Sequence, residues 1–103
     1  MTTQKFNVGD NASITKRFSS EDVVQFADVS EDNNPIHLDD AAAAESIFGQ
    51  RVVHGMLVGS LFSALIGTKL PGKGSIYLGQ NLSFKAPVMI DDEITATVEV
   101  TSV

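Results

Sequence analysis

A stretch without any charged residue runs from Gly55 to Thr68, and Pro71 and Gly72 follow shortly after it. Its apolar side chains are distributed almost all round a helical projection, which is typical of a helix that is buried on most sides. The proline and glycine beyond it predict the end of that helix. The stretch is too short to span a bilayer, so other elements of the chain must wrap around this helix.

Composition limits the class of protein. The chain has 103 residues, 43% of them hydrophobic, which suits one domain with a core over residues 1–103. A net charge of −6, from 13 acidic and 7 basic residues, argues against nucleic acid as a partner. The absence of cysteine excludes disulfides and thiolate chemistry. Residues 1–5 lack the apolar core of a signal peptide, so we expect a cytoplasmic protein that does not bind membranes.

The remaining segments predict an α+β protein. Alternation indicates strands over 12–18, 76–84 and 94–100, the second of them long and ended by Pro87. Ser19 and Asp22 have the spacing of a capping pair before a helix, and a further short helix is expected over 41–46. This order fits an antiparallel sheet around one long helix, with the last two strands forming a hairpin.

Candidate chemistry lies in Asp32-Asn33-Asn34-Pro35-Ile36-His37, which places a carboxylate and an imidazole five residues apart. Proline fixes its own φ and favours an extended residue before it, so we expect one bent turn rather than a regular element. Such a turn can direct both side chains at one water molecule, as general acid–base catalysis requires. Downstream, Gly55 opens the central helix, where a free backbone N–H could bind the oxygen of a polarised carbonyl.

These residues resemble a known family. Residues 30–39, 53–57, 70–77 and 82–88 are similar to the motifs of the MaoC-like (R)-specific enoyl-CoA hydratases, the hydratase 2 family, and above all to its PhaJ type, which feeds polyhydroxyalkanoate synthesis. The resemblance implies a hotdog fold, an antiparallel sheet wrapped around the central helix. Relatives usually continue with two further strands, so we expect either a C-terminally truncated domain or one completed by a partner chain.

The resemblance also implies an activity, the addition of water to a trans-2-enoyl-CoA to give an (R)-3-hydroxyacyl-CoA. It assigns Asp32 and His37 to the water and its proton, and the N–H of Gly55 to the thioester oxygen. No metal and no separate cofactor are implied, because coenzyme A is part of the substrate. Relatives work as homodimers, so the expected partners are an acyl-CoA and a second copy of the chain.

Three further residues are candidates for binding substrate. Asn34 shapes the turn and could help to orient water or substrate. Ser60 resembles a position that lines the acyl pocket in relatives, although helix packing explains a small residue there equally well. Lys85 and Lys73 could contact the phosphates of coenzyme A, while solvated surface lysines are the simpler interpretation of both.

Other residues have structural interpretations. His54 is expected to position the start of the central helix rather than to act in catalysis. Glu31 stands where relatives usually have glycine before the aspartate, and glutamate disfavours a positive φ. We expect its side chain to point outward. A metal site that uses Asp32, His37, Asp39 and Asp40 lacks a recognised ligand spacing.

Two alternatives remain open. A hotdog acyl-CoA thioesterase often carries a carboxylate on its central helix, and residues 55–68 contain none. A non-catalytic acyl-thioester binding module would be consistent with Glu31 and with the early end of the chain.

Overall fold

A computed structural model describes residues 6–103, which form two strands and four helices. In chain order they are β1 (Asn11–Arg17), α1 (Ser20–Ser30), α2 (Pro35–Leu38), α3 (Asp40–Ala44), α4 (Gly55–Thr68) and β2 (Glu93–Glu99). Residues 1–5, on which the expectation about a signal peptide rested, lie outside the described residues. None of the described helices is long and apolar enough to cross a bilayer.

The first helix begins where its capping residues predict. The Ser19 hydroxyl accepts a hydrogen bond from the backbone N–H of Asp22 (3.1 Å), and the Asp22 carboxylate accepts one from the N–H of Ser19 (2.9 Å). This reciprocal pair satisfies two N–H groups that the helix itself cannot pair. Hydrogen bonding to the Ser19 backbone lowers the pKa of Asp22 below its usual range. The prediction of a capping pair is therefore confirmed.

Strands β1 and β2 pair antiparallel, with Ile14 opposite Ala96. On the outer face, the hydroxyl groups of Ser13 and Thr97 lie 2.8 Å apart and form a hydrogen bond. The inner face is apolar and packs on α4 together with the residues after β1 and before α4. The shared core comprises Phe18, Val23, Val53, Leu61, Leu65 and Ala96.

Helix α4 has the predicted bounds, but its predicted burial is wrong. Leu61 and Leu65 are its buried residues, whereas Met56 is 55% exposed. The cause is the extent of the sheet, because the two strands of the described chain cover only one side of the helix. The apolar residues of α4 that face away from β1 and β2 are not covered by this sheet.

The predicted strand over 76–84 is also wrong, and with it the predicted hairpin. The structure has no strand in this segment, and Ile76 and Leu78 are 81% and 95% exposed. A strand also needs a partner strand, and the expected partner of this segment was β2. In the structure β2 pairs with β1. This exposed apolar segment therefore has no neighbouring strand within residues 6–103.

The chain returns to α4 just before β2. The N–H of Val53 donates to the carbonyl oxygen of Val88 (2.8 Å), and Val52 forms an isolated bridge with Met89. These contacts hold residues 84–88 beside the beginning of α4. Residues 84–88 line a depression there together with His37 and Gly55.

Candidate active site

The turn that carries Asp32 is shaped by its own side chains. Glu31 follows the last residue of α1 as its C-cap and has a left-handed φ of 65°. Its side chain is exposed, as expected. The Asp32 carboxylate accepts a hydrogen bond from the N–H of Asn34 (3.3 Å), and Asn34 Oδ1 accepts one from the N–H of Ile36 (3.1 Å). Asn34 thus caps α2, a short helix with Pro35 in its first turn, where the sequence predicted no regular element.

Helix α2 directs His37 toward Asp32. His37 Nδ1 lies 2.8 Å from the carbonyl oxygen of Val52. A carbonyl can only accept, so Nδ1 carries the proton and neutral His37 presents a lone pair on Nε2. That Nε2 lies 4.0 Å from Asp32 Oδ2, and the two side chains are 12% and 51% exposed. The carboxylate and the imidazole therefore converge, as predicted, at a distance that leaves a gap between them.

Arg51 fixes the backbone of this helix, a role that was not apparent in the sequence. Its Nε–H donates to the carbonyl oxygen of His37 (2.7 Å), and its Nη1 donates to the hydroxyl of Ser20 (2.9 Å). The guanidinium joins the start of α1 to the end of α2. Its partners are far from it along the chain, so no local pattern could have indicated these contacts.

His54 lies behind the pair. Its ring stacks on His37 with centroids 3.8 Å apart and an angle of 26° between the rings, and its Nε2 lies 3.0 Å from the carbonyl oxygen of Asp32. Ligand atoms of Asp32, His37 and His54 lie within 4.8 Å of one another, which raises the question of a metal ion. An ion bound to imidazole lies in the plane of the ring, and two stacked rings cannot both meet that condition. The cluster therefore does not fit a metal that all three residues share.

Gly55 is the first residue of α4 and lies beside the same depression. Its N–H has no hydrogen-bond partner among residues 6–103, as expected for the first turn of a helix. A Cβ at this position would lie 3.1 Å from the ring of Phe84. Glycine at this position thus allows the Phe84 ring to approach the beginning of α4.

A pocket of about 430 Å³ connects these groups. Asn34, His37 and Gly55 line it, and Lys85 lies at its edge as an exposed cation. The remaining lining is largely apolar and consists of Ile36, Phe48, Val52, Val53, Val58, Phe84, Ala86, Pro87 and Val88.

The two remaining candidates, Ser60 and Lys73, do not line the pocket that contains His37. Ser60 lines two different depressions of α4 and donates a hydrogen bond to the carbonyl oxygen of Leu57. The structure therefore brings together Asn34, His37, Gly55 and Lys85, with Asp32 beside them, and places Ser60 apart from them.

Comparison with known proteins shows the family of this chain. The sequence model described as "MaoC like domain" matches residues 2–103. The chain is 58% identical to an (R)-specific enoyl-CoA hydratase of Aeromonas caviae over 102 residues, which are 99% of this chain and 76% of that protein. It is 48% identical to the enzyme of the same name from Rhodospirillum rubrum, covering 90% of this chain and 65% of that protein.

The fold is shared with solved structures. The (R)-hydratase from A. caviae involved in PHA biosynthesis superposes with a TM-score of 0.94 at 58% identity, over 97% of this chain and 76% of that one. The R-hydratase PhaJ1 from Pseudomonas aeruginosa gives a TM-score of 0.89 at 47% identity, over 94% and 63% respectively. The α+β arrangement of residues 6–103 is thus that of the hotdog fold.

Proposed function

The chain belongs to the MaoC-like domain family, and from this premise we propose that it is an (R)-specific enoyl-CoA hydratase. It adds water across the double bond of a trans-2-enoyl-CoA to give an (R)-3-hydroxyacyl-CoA. The observation that carries the proposal is the convergence of Asp32 Oδ2 and His37 Nε2, 4.0 Å apart, beside the pocket that Gly55 lines.

The gap between the two side chains suits one water molecule. A distance of 4.0 Å is too long for a direct hydrogen bond, but a water about 2.8 Å from each atom can donate one proton to each. Both partners accept, so the oxygen lone pairs of that water point away from them and toward the substrate. The pair thereby orients water for attack on C3 of the enoyl group.

The proton balance follows from the same geometry. As the oxygen of water bonds to C3, one of its protons passes to the Asp32–His37 pair, and electrons of the double bond move toward the thioester oxygen. The pair then returns this proton to C2, which completes the addition of water with no other reactant. Because the pair lies on one side of the pocket, the hydroxyl group and the proton reach the same face.

The negative charge that develops on the thioester oxygen needs a hydrogen-bond donor. The free N–H of Gly55 lies at the N-terminus of α4, where the helix dipole also favours negative charge. A donor of this kind typically contributes about 10²–10³-fold to turnover. Lys85, exposed at the edge of the pocket, is our candidate for the phosphates of coenzyme A, and the apolar walls would contact the acyl chain.

The test is hydration of crotonyl-CoA, followed through loss of the conjugated enoyl absorbance. Asp32→Asn keeps the oxygen that accepts from Asn34 but removes the charge, and we expect turnover to fall about 10²–10⁴-fold, with a similar fall in His37→Ala. Asp28→Asn makes the same chemical change at an exposed position of α1 and should leave turnover unchanged. A folded parent that does not hydrate crotonyl-CoA, or an Asp32→Asn protein as fast as the parent, would overturn the proposal.

The same samples test the thioesterase alternative. Hydrolysis would release the thiol of coenzyme A, and the chain contains no cysteine to interfere with a thiol reagent. Helix α4 carries no carboxylate between Gly55 and Thr68, so we expect no release. Thiol release at the rate of enoyl consumption would favour the thioesterase.

We also propose that the chain works as a homodimer. The support is the exposed apolar segment that includes Ile76, Leu78 and Phe84, because a second copy could cover it. Light scattering should give twice the mass of the chain, and Leu78→Lys should shift it toward the monomer. A monomer in the parent protein would contradict this proposal. The cytoplasmic location expected from the sequence stays a prediction.

A further inference from the structure

His54 is buried without an evident benefit to the fold. The residue is 2% exposed, and its ring packs edge-to-face with Phe26, with ring centroids 4.8 Å apart, as well as on the face of His37. Its Nδ1 is buried and has no hydrogen-bond partner among the described residues. An unpaired buried acceptor is destabilising, so an apolar side chain would be expected here if packing were the only requirement.

The one hydrogen bond of the ring explains its orientation. Nε2 lies 3.0 Å from the carbonyl oxygen of Asp32, which can only accept, so Nε2 must carry the proton. Neutral His54 then has its lone pair on Nδ1, the atom without a partner. In this orientation His54 donates a hydrogen bond from Nε2 to the backbone of Asp32, while Nδ1 is left unpaired.

The backbone of Asp32 has few other constraints. Its carboxylate is half exposed, and the turn around it is held by hydrogen bonds to Ser30, the last residue of α1, and to Asn34. His54, the buried residue just before α4, connects this turn to that helix. Through the stack it also supports the ring of His37 from behind.

We propose that His54 is a positioning residue that sets the spacing between Asp32 and His37. One rigid ring contacts the backbone of the first and the side chain of the second, so displacement of that ring changes their separation. This inference rests on the proposed hydratase function, in which the separation decides whether one water can bridge the pair. It goes beyond the structural role at the start of α4 that the sequence predicted. His54 is the N-cap residue of that helix, but its side chain makes no capping hydrogen bond there.

Two substitutions separate the contributions of the ring. His54→Gln keeps an N–H that can reach the carbonyl of Asp32, whereas His54→Phe keeps a stacking ring and removes the donor. Misplacement by about 1 Å can cost as much as 10²-fold, so we expect His54→Phe to lower kcat by roughly 10- to 100-fold with KM for crotonyl-CoA within about 2-fold. His54→Gln should recover most of that loss.

Leu65→Ala is the matched control. Leu65 is as deeply buried and lies on the helix that follows His54, about 16 Å further along its axis. It should lower the melting temperature while kcat per folded molecule stays at the parent value. If His54→Phe lowers kcat no more than Leu65→Ala does, or if His54→Gln is as slow as His54→Phe, the proposal is overturned.

A measurement without activity keeps this inference separate from the proposed function. The chain has two histidines, so ¹⁵N spectra of their rings can be assigned with a single His37→Ala sample. We expect His54 in the parent at pH 8 to carry its proton on Nε2, with slowed exchange against solvent. A proton on Nδ1 would remove the donor to Asp32 and overturn the proposal even in an active enzyme. A parent that does not hydrate crotonyl-CoA would instead reject the hydratase and leave this hydrogen bond to be judged by the spectrum.

Discussion

A Cβ on Gly55 would lie 3.1 Å from a ring carbon of Phe84, closer than ordinary van der Waals contact. The close approach of Phe84 to the residue whose N–H we assign to the thioester oxygen therefore depends on the absence of a side chain at position 55. Phe84 is 57% exposed, so its ring has room to move away. A substitution at Gly55 should affect the pocket more than the fold.

We expect Gly55→Ala to lower turnover of crotonyl-CoA by about 10-fold or more, because the methyl group displaces Phe84 at the donor that stabilises the developing charge. Steady-state kinetics of the purified variant measure this. Gly67→Ala is the control, since a Cβ there meets nothing within 4 Å. It should raise the free energy of unfolding by about 0.5–1 kcal/mol and leave turnover unchanged. Equal turnover in the Gly55→Ala variant and the parent would contradict the assignment.

The left-handed backbone of Glu31, with φ at 65°, predicts a stabilising substitution. Glycine adopts this conformation without the steric cost of a Cβ, although it loses more entropy on folding. We expect Glu31→Gly to raise the free energy of unfolding by about 0.5–1 kcal/mol, measured by urea denaturation. Glu31→Ala keeps the Cβ and should give no such gain, so a gain of the same size in both variants would place its origin outside the backbone.

The capping carboxylate of Asp22 predicts how stability changes with pH. Its pKa is lowered in the folded protein, chiefly by hydrogen bonding to the Ser19 backbone, so the unfolded chain takes up a proton at higher pH than the folded one. The carboxylate therefore stabilises the fold above its unfolded pKa, and this contribution is lost as the pH falls through its folded pKa.

Thermal unfolding of Asp22→Asn and the parent should accordingly differ at pH 7 and converge as the pH falls below the folded pKa of Asp22. Asp28→Asn, at an exposed position of the same helix, should follow the parent throughout. A difference that persists unchanged into acid would show that the charge of Asp22 is not its source.

The hydrogen bond from His37 to Val52 predicts the tautomer of the His37 imidazole. We expect the neutral ring to carry its proton on Nδ1, the opposite of His54, because Nδ1 lies 2.8 Å from a carbonyl oxygen. Ring ¹⁵N shifts at pH 8 report this directly. A His37 proton on Nε2 instead would mean that the hydrogen bond to Val52 is not formed, and His37 could then not accept from water through Nε2.

Local interactions were the part of this fold that the sequence predicted well. The Ser19–Asp22 pair and the bounds of α4 follow from neighbours a few residues away and from the proline after the helix. The prediction of a strand over 76–84 failed for the opposite reason. Alternation indicates a segment with one apolar and one polar face, but it does not identify the distant strand with which that segment would have to pair. The resulting sheet pairs β1 with β2, and no local pattern specifies that register.

In the candidate site, too, the residues in local motifs were predicted and the long-range contacts were not. Asp32, His37 and Gly55 were predicted from motifs, and the structure brings the first two within 4.0 Å of each other. The contacts that orient them were not predicted. His54 reaches the carbonyl of Asp32 across 22 residues of sequence, and Arg51 reaches that of His37 across 14. Backbone acceptors carry no residue-type signature, so such contacts are visible only in the folded chain.

The pairing of β1 with β2 also sets an order of events during synthesis. Ser13 and Thr97, which share a hydrogen bond, are 84 residues apart. At a translation rate of about 5–20 residues per second, β1 is complete roughly 4–17 seconds before its partner exists. The helices can form in that interval, while the inner face of β1 has no partner strand. Ribosome-bound chains that end before residue 93 should therefore be the species of this protein most dependent on chaperones.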